Sequence, residues 1–136
     1  MFLLDTNVHS ELRKADRADL RVLQWSRRQN ATHHHLSVMT IWEMEIGVLR
    51  IERRDPTQGI ILRRWVEKTL LDFAGRILPI DALVAMRCAA LHVPDPRPDR
   101  DAYIAATALV HDLTVVTRNT RDFEGTGVRL FNPWEA

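Results

Sequence analysis

Cysteine is almost absent from this sequence: Cys88 stands alone, so no disulfide can form within the chain. The five glycines are dispersed, which excludes a glycine-rich nucleotide-binding loop. No apolar run approaches the roughly 20 residues of a membrane span. The opening apolar residues give way to an acid at Asp5, so neither a secretory signal nor an anchor is expected there, and a cytoplasmic location is. Lysine is scarce too. Of 19 basic residues only Lys14 and Lys68 are lysines, and the other 17 are arginines, whose planar fork suits phosphate. A genome rich in arginine codons gives the same skew, and the net charge of +1 advertises no nucleic acid.

What is present is ordinary globular material. Over 136 residues, 46% are hydrophobic and 27% charged, enough for one domain with its own core. Phe2-Leu3-Leu4 reads as a buried parallel strand. Further strands are expected at 34–38, 76–80, 113–117 and 128–131. Helices are expected at 8–14, 19–30, 40–54, 57–74, 81–92 and 99–111, with Asp55 or Thr57 capping the fourth and Gly75 ending it. Val93 to Pro98 carries three prolines and reads as a rigid loop. Strands alternating with helices imply an α/β fold whose parallel sheet is covered on both faces.

In such sheets, reactive groups gather beyond the carboxyl ends of the strands. Asp5 ends the first strand, Asn119 and Asp122 follow the fourth, and Asp101 opens the alanine-rich helix. Glu43 lies early in the long helix, on a stripe with Gly47, Arg50 and Arg54. Apolar residues flank that stripe on both sides, Ile41, Met44 and Val48 on one and Trp42, Ile46 and Leu49 on the other. An acid there is expected to be partly enclosed, with Gly47 leaving room beside it. Glu45 and Glu52 are expected to face solvent.

Each acid has a plain explanation by itself: Asp5 or Asp101 as a helix cap, Glu43 as a partner of Arg50. Together they pose an electrostatic problem. Carboxylates about 4 Å apart repel by roughly 4 kcal/mol per pair at an effective dielectric near 20. A bridging cation solves it, and oxygen donors alone suit Mg²⁺ or Mn²⁺.

Four stretches now carry a resemblance. Leu4-Asp5-Thr6-Asn7 with Ser10-Glu11, then Ser37-x-x-Thr40-x-x-Glu43-x-x-x-Gly47, then Asp101 to Thr107, then Thr117-Arg118-Asn119-x-x-Asp122-Phe123 resemble, in order, the motifs of PIN domains. Residues 74–81 and Phe131-Asn132-Pro133-Trp134 resemble the FitB-like, plasmid-stability branch of VapC proteins. The resemblance implies a single domain, 1–136, with a three-layer α/β/α sandwich, a homodimer, and a Mg²⁺-dependent endoribonuclease acting on structured RNA such as tRNA. It also implies a VapB-like antitoxin that blocks the site, with operator DNA bound only through that partner. By the same match Asp5 and Asp101 would hold the metal, Glu43 would complete the acidic set, and Thr6, Asn7 and Thr117 would support it. Close relatives can carry Asp where this chain has Asn119.

Such a metal site would hydrolyse the phosphodiester without the 2′-hydroxyl, leaving 5′-phosphate and 3′-hydroxyl ends. Glu43 or Asp122 would take the water's proton. Arg13, Arg17, Arg50 and Arg54 would hold flanking phosphates or form salt bridges. Two alternatives stand beside this reading. An aspartyl-phosphate phosphatase would use Asp5 as nucleophile, but Asn7 stands where it needs a second acid. A catalytically weak PIN-like binding module in a regulatory complex is the other, with Asn119 its only hint. His33-His34-His35 enters a strand, so its rings alternate between faces and make a poor metal tract. Asp81 reads as a helix cap, Cys88 as a small buried hydrophobe, and Trp25, Trp65 and Trp134 as core or subunit contacts.

Overall fold

The computed structural model describes all 136 residues. Its five strands are β1 Phe2–Leu4, β2 His34–Ser37, β3 Ile77–Leu78, β4 Thr114–Val116 and β5 Leu130–Phe131. All pairings are parallel, in the order β3-β2-β1-β4-β5. The helices are α1 Thr6–Arg13, α2 Leu20–Arg28, α3 Val38–Arg54, α4 Pro56–Asp72, α5 Ala82–Leu91 and α6 Asp99–His111. Every expected element is present. Two helices begin earlier than the apolar pattern suggested, and their caps explain why. The Asp5 carboxylate accepts from Thr6 N at 2.7 Å, and Ser37 Oγ accepts from Met39 N at 3.0 Å, so strand turns directly into helix at both places. Asp55, not Thr57, caps α4, with Pro56 at its first position. Asp81 caps α5 through Val84 N at 3.0 Å. Gly75 has φ +80°, the left-handed conformation expected of a residue just past a helix.

Neighbouring residues of each central strand serve opposite layers. Leu3 and Val115 pack with Ile104, Ala105 and Ala108 of α6, whereas Leu4 and Val116 pack with Val8 of α1 and Val22 and Trp25 of α2. That two-residue alternation makes the three-layer α/β/α sandwich. Fully burying each of these aliphatic side chains is worth about 1.5–3 kcal/mol. The alanines let α6 approach the sheet with Ala102, Ala105, Ala106 and Ala108 entirely buried. The α3–α4 hairpin packs around Met44, Val48 and Val66. One flank of α3 departs from expectation: Trp42 and Leu49 are exposed, because α4 covers the side bearing Met44 and Val48. Glu45 and Glu52 depart too. Both reach Arg63 of α4, at 2.5 and 3.1 Å, and tie the hairpin instead of only facing water.

Two histidines are held neutral. His34 is buried with its ring stacked on Trp25 (5.4 Å between centroids), and its Nε2 has no hydrogen-bond partner. Burial, helped by Arg76 and the flanking histidines, lowers its pKa to about 4. His9 stacks on Trp65 and sits 2.9 Å from Thr69 Oγ1; burial lowers it to about 4 against the opposing pull of Asp72. Between pH 6.5 and 4 the unfolded chain therefore binds protons that the folded chain refuses. Stability is expected to fall with pH through that window, by up to ~1.4 kcal/mol per histidine per unit. Melting curves at pH 7 and 5 should show this, and His34→Phe should flatten the slope without loss at pH 7, since an unpartnered polar atom is replaced by an apolar one. An unchanged slope in that variant would show that His34 is not the group responsible.

Candidate active site

Strand order reverses direction at β1, which has β2 on one side and β4 on the other, so a crevice opens beyond their carboxyl ends. Asp5 fills its floor. It is 1% exposed, and both its oxygens are engaged. Oδ1 accepts from the α1 backbone at Thr6 N and from Arg100, and Oδ2 accepts from Thr117 Oγ1 at 2.8 Å and from Asn7 Nδ2 at 3.4 Å. Thr117, directly after β4, also accepts from Asn119 N at 3.0 Å and Asn7 Nδ2 at 3.3 Å, so one hydroxyl joins the two strand ends.

Glu43 approaches from the first turns of α3 and Asp101 from the first turn of α6. Thr6 Oγ1 donates to Glu43 Oε1 at 2.7 Å and lies 3.0 Å from Thr40 Oγ1. The three carboxylates meet on a single side chain, Arg100. Its Nε donates to Glu43 Oε1 at 2.7 Å, its Nη1 to Asp101 Oδ1 at 2.8 Å, and its Nη2 to Asp5 Oδ1. Burial alone would lower the Arg100 pKa, but the charges and hydrogen bonds of Asp5, Glu43 and Asp101 outweigh it and raise the value. The guanidinium is permanently charged.

Thus the structure brings together Asp5, Glu43 and Asp101 with Thr6, Asn7 and Thr117. It does not bring in Asn119 or Asp122. Both are exposed around the short helical turn Thr120–Phe123, where Asp122 N donates to Asn119 O at 3.0 Å and neither side chain reaches the cluster. The bland readings of the acids are also sorted. Asp5 does cap α1; Asp101 caps nothing, since α6 starts at Asp99 with Pro98 at its cap position and no side-chain cap; and Glu43 pairs with Arg100, not Arg50. An attacking Asp5 carboxylate is disfavoured by its enclosure, and Lys14 and Lys68 are occupied by Glu11 and Asp72.

Arg100 escaped the sequence reading. One signal was there: a cation in a helix's first turn opposes the dipole, so it needs acids to hold it.

The donor set fits a hard divalent cation. Three oxygen-donating carboxylates already converge on one positive group, and that group leaves two of their three negative charges uncompensated. With Arg100 among them, no group of three acids is placed to hold an ion as they stand. Beside Glu43 a cavity of about 220 Å³ runs past Thr6, Ser10, Arg13, Gly47 and Trp65. Nothing lies within 4 Å of where a Gly47 Cβ would stand, so this glycine borders open space and no close backbone approach. Arg13 lies over the Trp65 ring, 5.3 Å from its centre. Arg13, Arg17, Arg50 and Arg54 are exposed, and none forms a salt bridge.

Known proteins resemble this chain over nearly its whole length. The PIN domain family matches residues 2–128. The VapC ribonuclease Y4jK of Sinorhizobium fredii is 36% identical, over 99% of each chain. Toxin FitB of Neisseria gonorrhoeae is 37% identical, over 98% of this chain and 99% of that one. Among solved structures, FitAcB from Neisseria gonorrhoeae superposes with a TM-score of 0.90 at 37% identity, covering 100% of both chains. FitAB bound to the IR36 DNA fragment gives 0.87 at 37%, covering 98% of this chain and 96% of that one.

Proposed function

The chain belongs to the PIN domain family, and on that premise we propose that it is a Mg²⁺- or Mn²⁺-dependent endoribonuclease, the toxin of a toxin–antitoxin pair. The observation that carries this reading is the convergence of Asp5, Glu43 and Asp101 on one cation at the strand-order reversal. Asp5 and Asp101, with Glu43, would hold the metal. When bound, it supplies a polarised water and neutralises charge on the phosphodiester oxygens.

The chain's own groups do the rest. Thr117 and the first turn of α1 fix the Asp5 carboxylate from two sides, so its orientation is set before anything binds. Thr6 Oγ1, itself beside Thr40 Oγ1, donates to Glu43 Oε1 and orients that carboxylate. Glu43 Oε2, which makes no hydrogen bond within the chain, is the proton acceptor for the attacking water. Arg13, Arg17, Arg50 and Arg54, exposed and without salt bridges, are available to flanking phosphates of a structured RNA, tRNA among them. A homodimer, an antitoxin that covers the crevice, operator DNA bound through that antitoxin, and a cytoplasmic location complete the proposal. It is consistent with these that no helix is long and apolar enough to cross a membrane.

Purified protein incubated with bulk tRNA should yield fragments with 5′-phosphate and 3′-hydroxyl ends in Mg²⁺ or Mn²⁺, and none after EDTA. Cleavage that survives chelation, or products with 2′,3′-cyclic ends, would remove the metal from the mechanism.

A further inference from the structure

Arg100 is placed where a metal-binding site should not tolerate a resident. All three kinds of nitrogen on its guanidinium are used, each on a different carboxylate: Nε on Glu43, Nη1 on Asp101, Nη2 on Asp5. Its side chain is 27% exposed, while the acids it joins are 29%, 15% and 1% exposed, so water screens these contacts only in part. A planar guanidinium with N–H···O contacts holds its acceptor oxygens about 4 Å from its centre. An octahedral Mg²⁺ draws its oxygens in to about 2.0–2.1 Å. The three oxygens that Arg100 holds, Asp5 Oδ1, Glu43 Oε1 and Asp101 Oδ1, cannot satisfy both radii at once, and with Arg100 in place no group of acids stands ready to hold an ion.

We propose that Arg100 is an internal competitor for the metal: the guanidinium and a divalent ion are mutually exclusive ligands of Asp5, Glu43 and Asp101. In the metal-free protein Arg100 quenches the repulsion of the three acids and keeps the site folded. The ion enters only by displacing it, so the measured affinity for metal is the intrinsic affinity reduced by the fraction of molecules with Arg100 swung out. The exit is open, since Arg100 lies in the first turn of α6 beside the exposed Asp99, at the mouth of the crevice. This rests on the proposed metal-dependent reading of the same acids. It adds that the chain carries its own brake on metal loading.

The test uses Mn²⁺ or Mg²⁺ alone, without RNA. In calorimetric titrations of the purified chain, Arg100→Gln should bind Mn²⁺ at least about tenfold more tightly than wild type. Without metal the variant should melt at a lower temperature, and Mn²⁺ should raise its melting point by more than it raises that of wild type. Because the variant's fold depends on acids left unpaired, wild-type protein supplies a second arm. The Arg100 Nε–H resonance, protected in the metal-free state, should vanish or shift on Mg²⁺ addition with the midpoint found by calorimetry. Equal or weaker Mn²⁺ binding by a folded Arg100→Gln, or a resonance unmoved at Mg²⁺ saturation, overturns the competition and leaves the metal site standing. Absence of binding in both proteins overturns the competition and the metal site together.

Discussion

Asp5→Asn is expected to cost more than about a hundredfold in the rate of RNA cleavage, with the fold kept. Even supporting residues around a metal site typically cost 10–100-fold when changed, and Asp5 is one of the residues proposed to hold the ion. The substitution removes the charge at the most enclosed point of the crevice, 1% exposed, where no other group can take its place. It spares the architecture. Asn is as good a helix cap as Asp, so Thr6 N keeps an acceptor, while the NH₂ that replaces the other oxygen meets the donors Thr117 Oγ1 and Asn7 Nδ2, and a penalty of about 1.5–3 kcal/mol is expected. Initial rates on tRNA, set beside melting curves, separate the two effects. Asp122→Asn and Asn119→Ala, both outside the cluster, should change the rate by less than about tenfold, or ~1.4 kcal/mol of barrier. An Asp5→Asn protein within that tenfold band would show that the chemistry lies elsewhere.

Growth arrest is the larger effect in cells. Expression of this chain without its partner should stop a bacterial culture from dividing, and Asp101→Asn should restore growth. Asp101 sits in the first turn of α6, where the exposed backbone N–H groups favour its negative charge, and its side-chain partner is Arg100. Replacing it with Asn removes the charge offered to the proposed metal while leaving α6 packed through Ala102, Ile104 and Ala105. Equal protein levels by immunoblot are needed for the comparison. A wild-type chain that cleaves RNA in the tube yet leaves growth untouched would place it among housekeeping nucleases and end the toxin assignment.

The layers and the parallel sheet followed from patterns that sequence displays well. Alternating strands and helices and caps such as Asp55 and Asp81 are local, and each landed in its expected role, while Gly75 takes its left-handed turn two residues beyond Phe73, where α4 already ends. Three site acids were legible for a different reason: a parallel sheet sends everything at its strand ends to one crevice, however far apart in sequence. What stayed hidden depends on direction in irregular backbone or on contacts between distant helices. Asp122 follows β4 as a site residue should, but it lies exposed in a short helical turn and its carboxylate pairs with none of the cluster. Glu45 and Glu52 lie on the solvent side of a helical wheel, which cannot show that α4 folds back to bring Arg63 to both. Arg100 belongs to both categories. Beside Asp99 and Asp101 it reads as one more surface charge, and only the folded crevice shows three acids closing on it.

The sheet has a further property with a bearing on how copies of this chain meet. Its two outermost strands, β3 and β5, are two residues long, and Pro79 and Pro133 follow within two residues of each. An unpaired strand edge is a template on which another chain can add a strand, and the longer and flatter it is the greater the hazard of runaway association. Here each border offers barely one repeat of the ladder before a residue without an N–H interrupts it. Strand addition between copies is therefore disfavoured at both borders, and any contact between copies falls to the helical surfaces.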